Sequence, residues 1–425
     1  MKDSGIDWIG KIPDEWTARQ IRYLFEIRDE RNYKPLSEVN LISVYTDKGV
    51  LQHNDIEQTT GNKAQNADGY KHVYKNDLVV NIILCWMGAL GISDFDGVTS
   101  PAYDVYSPKN LDLIFPKYYH YLFRTPQFNG KCYTEGRGIM QMRWRTYSSE
   151  FKSIKVPFPP LSEQTKIAGF LDKKCSEIDS VIEESKKSIE EYKAWKQSVI
   201  FEAVTGKNLS CKKKNSGIEW LGEIPETWEV CKLKYLLKTN LQYGANSSGI
   251  EFNENLPRYV RITDIKSSET LYEKGKLSLS DEDSKGYLLQ DGDILFARSG
   301  ATVGKTFLYH SNIGKAAFAG YLIRAQLNEN LNPKFLSYYT LSSGYDEWKN
   351  RIFIQATIQN IGADKYANME IPFPPLSEQE SIAKFLDKKC AQIDSLISEK
   401  QSLIKDLAEY KKSLIFEAVT GKRRV

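Results

Sequence analysis

The sequence predicts an α+β protein in which two α/β modules are separated by two long helices, in a pseudo-two-fold internal repeat. Residues 157–207 recur at 372–422, an offset of 372 − 157 = 215, and 32 of the 51 positions are identical without a gap. Each copy has the apolar spacing of a long helix. Each is preceded by a stretch that mixes strand-like runs with helices opened by proline.

The length and composition fit a soluble protein of several domains. The chain has 425 residues, 41% hydrophobic and 27% charged, and its formal net charge is +3. That length predicts two or more domains, and that composition excludes disordered and collagen-like classes. Because the net charge is nearly balanced, any contact with nucleic acid must come from local basic patches.

The cysteine and apolar patterns predict a cytoplasmic protein without a metal site. The six cysteines form no C-x-x-C pair and the four histidines have no metal-ligand spacing, so neither zinc nor a disulfide framework is expected. Residues 1–10 lack an apolar signal core. The longest apolar stretch, 78–92, is interrupted by Asn81 and is too short to span a membrane.

A second repeat marks the start of each module. Residues 5–16 read GIDWIGKIPDEW and residues 217–228 read GIEWLGEIPETW, an offset of 217 − 5 = 212. Between these anchors and the repeated helices the two copies diverge. Such a plan indicates a common scaffold that carries two different modules.

The repeated segment has start and stop signals for one uninterrupted helix. Prolines in the shared PFPP keep the entering chain extended, and Ser162 and Ser377 are the predicted N-caps. Gly206 and Gly421 are the predicted stops. A helix of about 40 residues is about 60 Å long at about 1.5 Å per residue, and the two copies are the expected partners of each other.

The contact line of this helix pair is predicted from heptad spacing. Two long core helices within one ordinary domain remain an alternative, although near-identity of the copies favours a symmetric pair. The sequence does not fix the direction of pairing. The residues predicted for the interface are Leu171, Ile178, Val181, Tyr192, Val199, Leu386, Ile393, Leu396, Leu403, Leu407, Tyr410 and Leu414.

Each module is predicted to combine strands with at least one helix. Apolar, β-branched runs predict strands at 39–45, 77–86, 259–265 and 293–299. Pro116 and Pro333 each open a predicted helix, the second with Asn332 as its N-cap. Both modules are therefore expected to be α+β.

Basic residues near aromatic ones are the candidate DNA contacts. Binding in a DNA groove needs cations for phosphate and forked donors for guanine edges. Arg143-Trp144-Arg145 supplies such a cluster, although an amphipathic strand edge has the same composition. The candidates are Arg137, Arg143 and Arg145 in module one, and Arg298 and Lys305 in module two.

Motifs for catalysis are absent or incomplete. GATVGKT at 300–306 is one residue short of a phosphate-binding loop, so a tight strand turn is expected there. No N-P-P-Y or D-P-P-Y motif of an adenine methyltransferase occurs. The acidic run at 281–285 fits a solvated loop, and structural roles are expected for His53, His72, His120 and His310. No catalytic residue is therefore predicted.

The chain resembles the specificity subunits of type I restriction–modification enzymes. The resemblance rests on PFPPLSEQ leading twice into a long helix, on the two openings GIDWIGKIPDEW and GIEWLGEIPETW, and on DGDILFARSGATVGKT and GVTSPAYDVYS inside the modules. It extends over essentially the full length. It implies domains at 1–156 and 211–371 for target recognition, with spacer helices at 157–210 and 372–425.

The resemblance further implies a function. Each recognition domain would read one half of an interrupted double-stranded DNA site, and the helices would pair antiparallel as a coiled coil that sets the gap. Two modification subunits and the restriction subunits would dock on the chain. S-adenosylmethionine, ATP and Mg would bind only to those partners, with no cofactor in this chain. A coiled-coil scaffold without DNA binding and a P-loop hydrolase remain the alternatives from other classes.

Overall fold

The computed structural model describes residues 1–53, 66–138, 144–300, 302–354 and 360–425. These form two compact units. Unit 1 is Met1–Lys186 together with Ser402–Val425, and unit 2 is Lys187–Gln401. Each long helix therefore contributes one part to each unit.

Unit 1 is built around an antiparallel sheet with strand order β4-β11-β8-β9. Helices α1 and α2 and the start of α4 share its apolar core. The strands are Lys2–Asp3 (β1), Lys11–Ile12 (β2), Thr17–Gln20 (β3), Phe25–Arg28 (β4), Ile42–Tyr45 (β5), Gly49–Gln52 (β6), Lys71–Val73 (β7), Leu78–Asn81 (β8), Leu90–Ile92 (β9), Gly97–Thr99 (β10), Tyr103–Pro108 (β11) and Lys155–Phe158 (β12); the helices are Pro116–Phe123 (α1), Pro126–Glu135 (α2), Ser148–Ser153 (α3) and Leu161–Thr205 (α4).

Unit 2 repeats this plan with the antiparallel sheet β16-β23-β20-β21. It adds a second four-stranded sheet, β17-β19-β18-β22. The strands are Lys213–Asn215 (β13), Glu223–Pro225 (β14), Glu229–Lys232 (β15), Gln242–Tyr243 (β16), Ile250–Glu251 (β17), Arg258–Val260 (β18), Leu277–Ser278 (β19), Ile294–Ala297 (β20), Thr306–Leu308 (β21), Ala316–Phe318 (β22), Leu322–Ala325 (β23) and Glu370–Phe373 (β24); the helices are Pro333–Tyr339 (α5), Ser343–Ile354 (α6), Ala363–Ala367 (α7) and Leu376–Val419 (α8).

The predicted strands and proline-opened helices are present, and the strands are shorter than predicted. The 77–86 run ends as a strand at Asn81, whose side-chain oxygen accepts hydrogen bonds from the Ile83 and Leu84 amides and turns the chain. The 259–265 run stops at Val260 because Asp264 captures the Arg261 backbone amide in a helical turn. Asn332 caps α5 as predicted, accepting from the Phe335 amide at 3.1 Å.

The predicted N-caps of the long helices are wrong by two positions. The helices begin at Leu161 and Leu376, so Ser162 and Ser377 lie inside the first turn. The residue before each helix is a proline, and the Pro160 carbonyl already accepts from the Glu163 amide at 3.0 Å. Proline can occupy this place because the group it lacks is the backbone N–H. The first turn of the helix uses its carbonyl instead, which accepts a hydrogen bond.

Gly206 and Gly421 end the helices as predicted. Their φ angles are +69° and +68°, a left-handed conformation that favours glycine. The Lys207 amide donates to the Glu202 carbonyl at 2.8 Å and the Lys422 amide to Glu417 at 2.9 Å, which closes a Schellman motif in each copy.

A buried glutamine explains the repeated PFPPLSEQ. The Gln164 side chain accepts from the Phe115 amide at 2.8 Å and donates to the Leu113 and Pro159 carbonyls, both at 2.9 Å. Gln379 makes the same three bonds, accepting from Asn332 and donating to Asn330 and Pro374. The repeated segment therefore fastens each long helix to the loop before the first helix of its module.

The long helices run antiparallel. In unit 1 the Lys411 ammonium lies 2.6 Å from an Asp179 carboxylate oxygen, and in unit 2 Lys196 lies 2.6 Å from Asp394. As the residue number rises along α4, that of its partner on α8 falls. The two ion pairs use equivalent positions of the repeat, since Asp179 and Lys196 correspond to Asp394 and Lys411 at the offset of 215.

The predicted interface residues of the helices differ in burial. Buried side chains recur every three to four residues, and the buried Cys175 and Cys390, which were not predicted, fall between predicted positions. Leu171, Ile178, Leu386, Ile393 and Leu414 are buried; Tyr192, Val199 and Leu407 are half-buried; Val181, Leu396, Leu403 and Tyr410 are exposed.

Candidate nucleic-acid interface

The same end of the central sheet carries the candidate residues in both modules. In module one the segment after β8 is joined to the segment before α3 by the Thr146 amide, which donates to the Ile82 carbonyl at 3.0 Å. In module two the Ile361 amide donates to the Arg298 carbonyl at 2.8 Å, between the corresponding segments. These bonds bring together residues that are more than 60 positions apart in the chain.

Arg137 and Arg145 lie side by side at this end of module one. Their backbones exchange hydrogen bonds of 2.9 and 3.1 Å. The Arg137 guanidinium is 3.0 Å from Glu150 and 5.1 Å from the centre of the Tyr147 ring. The Arg145 side chain is exposed. Arg143 lies outside the described residues.

An aromatic stack supports the same surface. Tyr133 and Trp144 stack with ring centres 5.0 Å apart, and Trp86 packs against Tyr133 at 5.4 Å. The turn that holds Trp86 exposes Leu84 and Met87, whose side chains are 37% and 49% exposed. The sequence analysis missed Leu84 and Met87 because an apolar run such as 77–86 predicts a strand rather than an exposed turn.

Module two places Arg298 against an aromatic ring. Its guanidinium carbon lies 5.0 Å from the centre of the Tyr243 ring, and the Tyr243 hydroxyl accepts from the Ala363 amide at 3.0 Å. The Arg298 amide donates to the Tyr321 carbonyl. Tyr243 and Tyr321 are 41% and 65% exposed, so this surface presents flat side chains beside a cation.

Lys305 is engaged elsewhere. Its ammonium donates to the carbonyls of Ile265 and Lys266 at 2.6 and 3.3 Å. The lysine therefore holds the loop before β19 to the central sheet, and Arg298 is the candidate of module two that faces the same end as the arginines of module one.

The GATVGKT segment is a tight turn between strands, as predicted. Gly300 and Gly304 have φ angles of +82°, and the Gly304 amide donates to the Ala297 carbonyl at 2.8 Å. Residue 301 lies outside the described residues. The segment joins the antiparallel strands β20 and β21, which explains its glycines without a nucleotide.

The described ranges contain neither a metal-ligand cluster nor a membrane-spanning helix. No group of three histidine, cysteine, aspartate or glutamate side chains there is arranged to hold a metal ion. No helix among the described residues has the length and apolar character needed to cross a bilayer.

The family model of the type I restriction modification DNA specificity domain matches residues 13–191 and 225–406. The chain belongs to this family. The two matches cover most of both modules and much of both long helices, so the internal repeat is a repeat of this domain.

A relative matches most of the chain in sequence, and two solved structures share its fold. The type I restriction enzyme MjaVIII specificity subunit of Methanocaldococcus jannaschii is 26% identical over 382 residues, covering 84% of this chain and 83% of the relative. The HsdS subunit of Thermoanaerobacter tengcongensis has the same fold, with a TM-score of 0.58 and 16% identity over 97% of this chain and 98% of that one. A structure described under complex assembly and conformational transition of the type I R-M system matches at a TM-score of 0.74 with 16% identity, covering 97% of this chain and 100% of the other.

Proposed function

We propose that this chain is the DNA-recognition subunit of a type I restriction–modification complex. The observation that carries this proposal is the double match to the specificity domain, with each copy presenting cationic and aromatic side chains at the same end of its sheet. Each module reads one half of a bipartite, interrupted site. The chain performs no catalysis, in keeping with the specificity role that its relatives carry in their names.

The partners follow from this role. The chain docks two methyltransferase subunits and the restriction subunits on double-stranded DNA in the cytoplasm, and S-adenosylmethionine, ATP and Mg bind to those subunits. The recognition domains are 1–156 and 211–371, and the spacers are 157–210 and 372–425. The candidate DNA contacts are Arg137, Arg143, Arg145 and Arg298.

Exchanging one module tests whether each module reads its own half-site. Replacing residues 211–371 with the corresponding module of a relative should change one half of the methylated motif and leave the other half unchanged, because the scaffold contacts of each module are its own. Methylome sequencing of host cells that carry the modification genes measures this. A motif that changes in both halves, or in neither, contradicts separate reading.

Lengthening the helices tests their role as a spacer. Seven residues inserted after Ser185 and after Lys400 keep the heptad face in register and add about 10 Å to each helix. Since DNA rises about 3.4 Å per base step, the gap should grow by at most roughly three base pairs with unchanged half-sites. Full methylation with an unchanged gap would exclude the spacer role.

A further inference from the structure

Arg298 differs from every other arginine of unit 2. That unit has five arginines, all among the described residues, and four of them have a carboxylate partner: Arg258 with Glu273 (2.7 Å), Arg261 with Asp264 (2.7 Å), Arg324 with Asp293 (3.8 Å) and Arg351 with Glu219 (2.9 Å). Arg298 forms no ion pair and no side-chain hydrogen bond with any residue that the structure describes. Its charge is therefore available to a ligand.

The guanidinium is half-buried, although it is unpaired. Its Nε–H is shielded from solvent and finds no acceptor in the described part of the chain, as is also true of Arg258, Arg324 and Arg351. Arg298 is distinguished by its terminal nitrogens, which also lack a described partner, whereas those of the other three lie near a carboxylate.

The position of Arg298 and the plane of its guanidinium are fixed before any ligand binds. Its backbone is tied on both sides, through its amide to Tyr321 and through its carbonyl to the Ile361 amide. The guanidinium stacks on Tyr243, and the Tyr243 ring is itself held by the bond from the Ala363 amide to its hydroxyl. Little rotational freedom remains to be lost when a planar ligand binds.

A fixed fork of this kind suits a base edge better than a phosphate. Guanine presents two acceptors, O6 and N7, in the major groove, and a guanidinium binds both at once. A guanidinium can also bind a phosphate bidentately, but the stack on Tyr243 fixes the plane of the fork, and a fixed plane favours the edge of a base. Two nearby lysines are already engaged, Lys305 by two carbonyls and Lys349 by Asp346 at 2.7 Å. The site is thus a single oriented fork rather than a general basic patch.

We infer that Arg298 reads a guanine in the half-site of module two, with Tyr243 as a positioning residue. This rests on the proposed function. Module one has Ile82 at the corresponding place, where its carbonyl accepts from the Thr146 amide. The contact from this position therefore has no arginine counterpart in module one.

The first test compares methylated motifs. With the wild-type chain, methylome sequencing should show a required G·C pair in the half-site that depends on module two. Arg298→Lys keeps the charge and loses the fork, so discrimination at that pair should fall by roughly 5- to 150-fold, the equivalent of one bidentate contact. Lys365→Ala, which removes a neighbouring exposed charge, is the matched control and should leave the motif unchanged.

The second test alters the DNA and compares the response of the wild-type complex with that of variants. Replacing guanine by 7-deazaguanine removes N7, and at one position of the half-site this should weaken binding of the wild-type complex at least 5-fold. The Arg298→Ala complex should be insensitive to that replacement, and Tyr243→Leu should lose part of the sensitivity. An unchanged motif in both Arg298 variants, a half-site without guanine, or an equal loss on all sequences overturns the inference. A wild-type chain that directs no bipartite methylation overturns the proposed function instead.

Discussion

Modules one and two are held in the same way and differ in what they present. Tyr121 and Lys117 of module one bond to Asp172 at 2.7 and 2.9 Å. Tyr338 and Lys334 of module two bond to Asp387 at the same two distances. The recognition end shows no such agreement. Among the described residues, the end with the candidate DNA contacts carries two arginines and an exposed apolar turn in module one and a single stacked arginine in module two. The repeat therefore preserves the attachment of each module and leaves its outer surface free to diverge.

The largest expected effect tests whether the attachments are energetically equal. Trp16 and Trp228 are buried, and their indole nitrogens donate to Glu163 at 2.6 Å and Glu378 at 2.9 Å. Substitution of either by alanine should lower the free energy of unfolding by about 3–5 kcal/mol. Urea denaturation of the full chain measures this, with the half-exposed Trp195→Ala as the control near zero. Losses that differ by more than about 1 kcal/mol would show that the two attachments are not equivalent.

Acid should destabilise unit 1 more than unit 2. Burial lowers the pKa of His120 to about 4, from an ordinary value of 6.5. Between these two pH values the unfolded chain binds a proton on His120 and the folded chain does not. The contribution of neutral His120 to the free energy of unfolding is therefore complete above pH 6.5 and is lost as the pH falls toward 4. The loss is about 3 kcal/mol at 1.36 kcal/mol per pKa unit.

Module two has Ser337 at the corresponding position of its first helix, so this acid sensitivity belongs to unit 1. His120→Gln keeps an acceptor for the Ile92 amide without the proton uptake. Thermal unfolding between pH 7 and 4.5 should show a weaker pH dependence for this variant. An identical dependence in wild type and variant would exclude His120 as the cause.

The bonds made by Asp172 and by Asp387 should contribute slightly different amounts to the free energy of unfolding. Asp172→Ala leaves Lys117 without a described partner, whereas Asp387→Ala leaves Lys334 within 3.5 Å of Glu269. Because these carboxylates are partly exposed, each loss should be about 1 kcal/mol, and smaller in module two by a few tenths. Asp406→Ala on the exposed face of α8 is the control. A larger loss for Asp387→Ala would contradict the role of Glu269.

The smallest effect concerns the recognition ends. Arg145→Ala should reduce the salt dependence of DNA binding by about one unit of slope, as expected for one lost phosphate contact. Lys305→Ala should leave that slope unchanged, since its ammonium already bonds to two carbonyls. Binding titrations at several salt concentrations distinguish the two. A lower slope for Lys305→Ala would return that lysine to the DNA contacts.

The sequence alone determined the repeat, the two long helices, their glycine ends and the helices opened by Pro116 and Pro333. These features depend on signals within a few residues: proline restricts the chain before a helix, glycine permits a positive φ, and apolar spacing sets one helical face. It also identified the family, because PFPPLSEQ occurs twice, although the reason for the motif became clear only when Gln164 was seen to bond three backbone groups of the folded chain.

Only the tertiary structure decided which cations remain free and which residues face each other along the helices. Lys305 and Arg298 are seven positions apart and look equally suited to bind DNA. Carbonyls some 40 positions away occupy the lysine, whereas no described carboxylate reaches the arginine. The antiparallel direction likewise depends on pairs such as Asp179 with Lys411, more than 200 residues apart. Such partners meet because the chain folds back on itself, and no pattern within a short segment records that meeting.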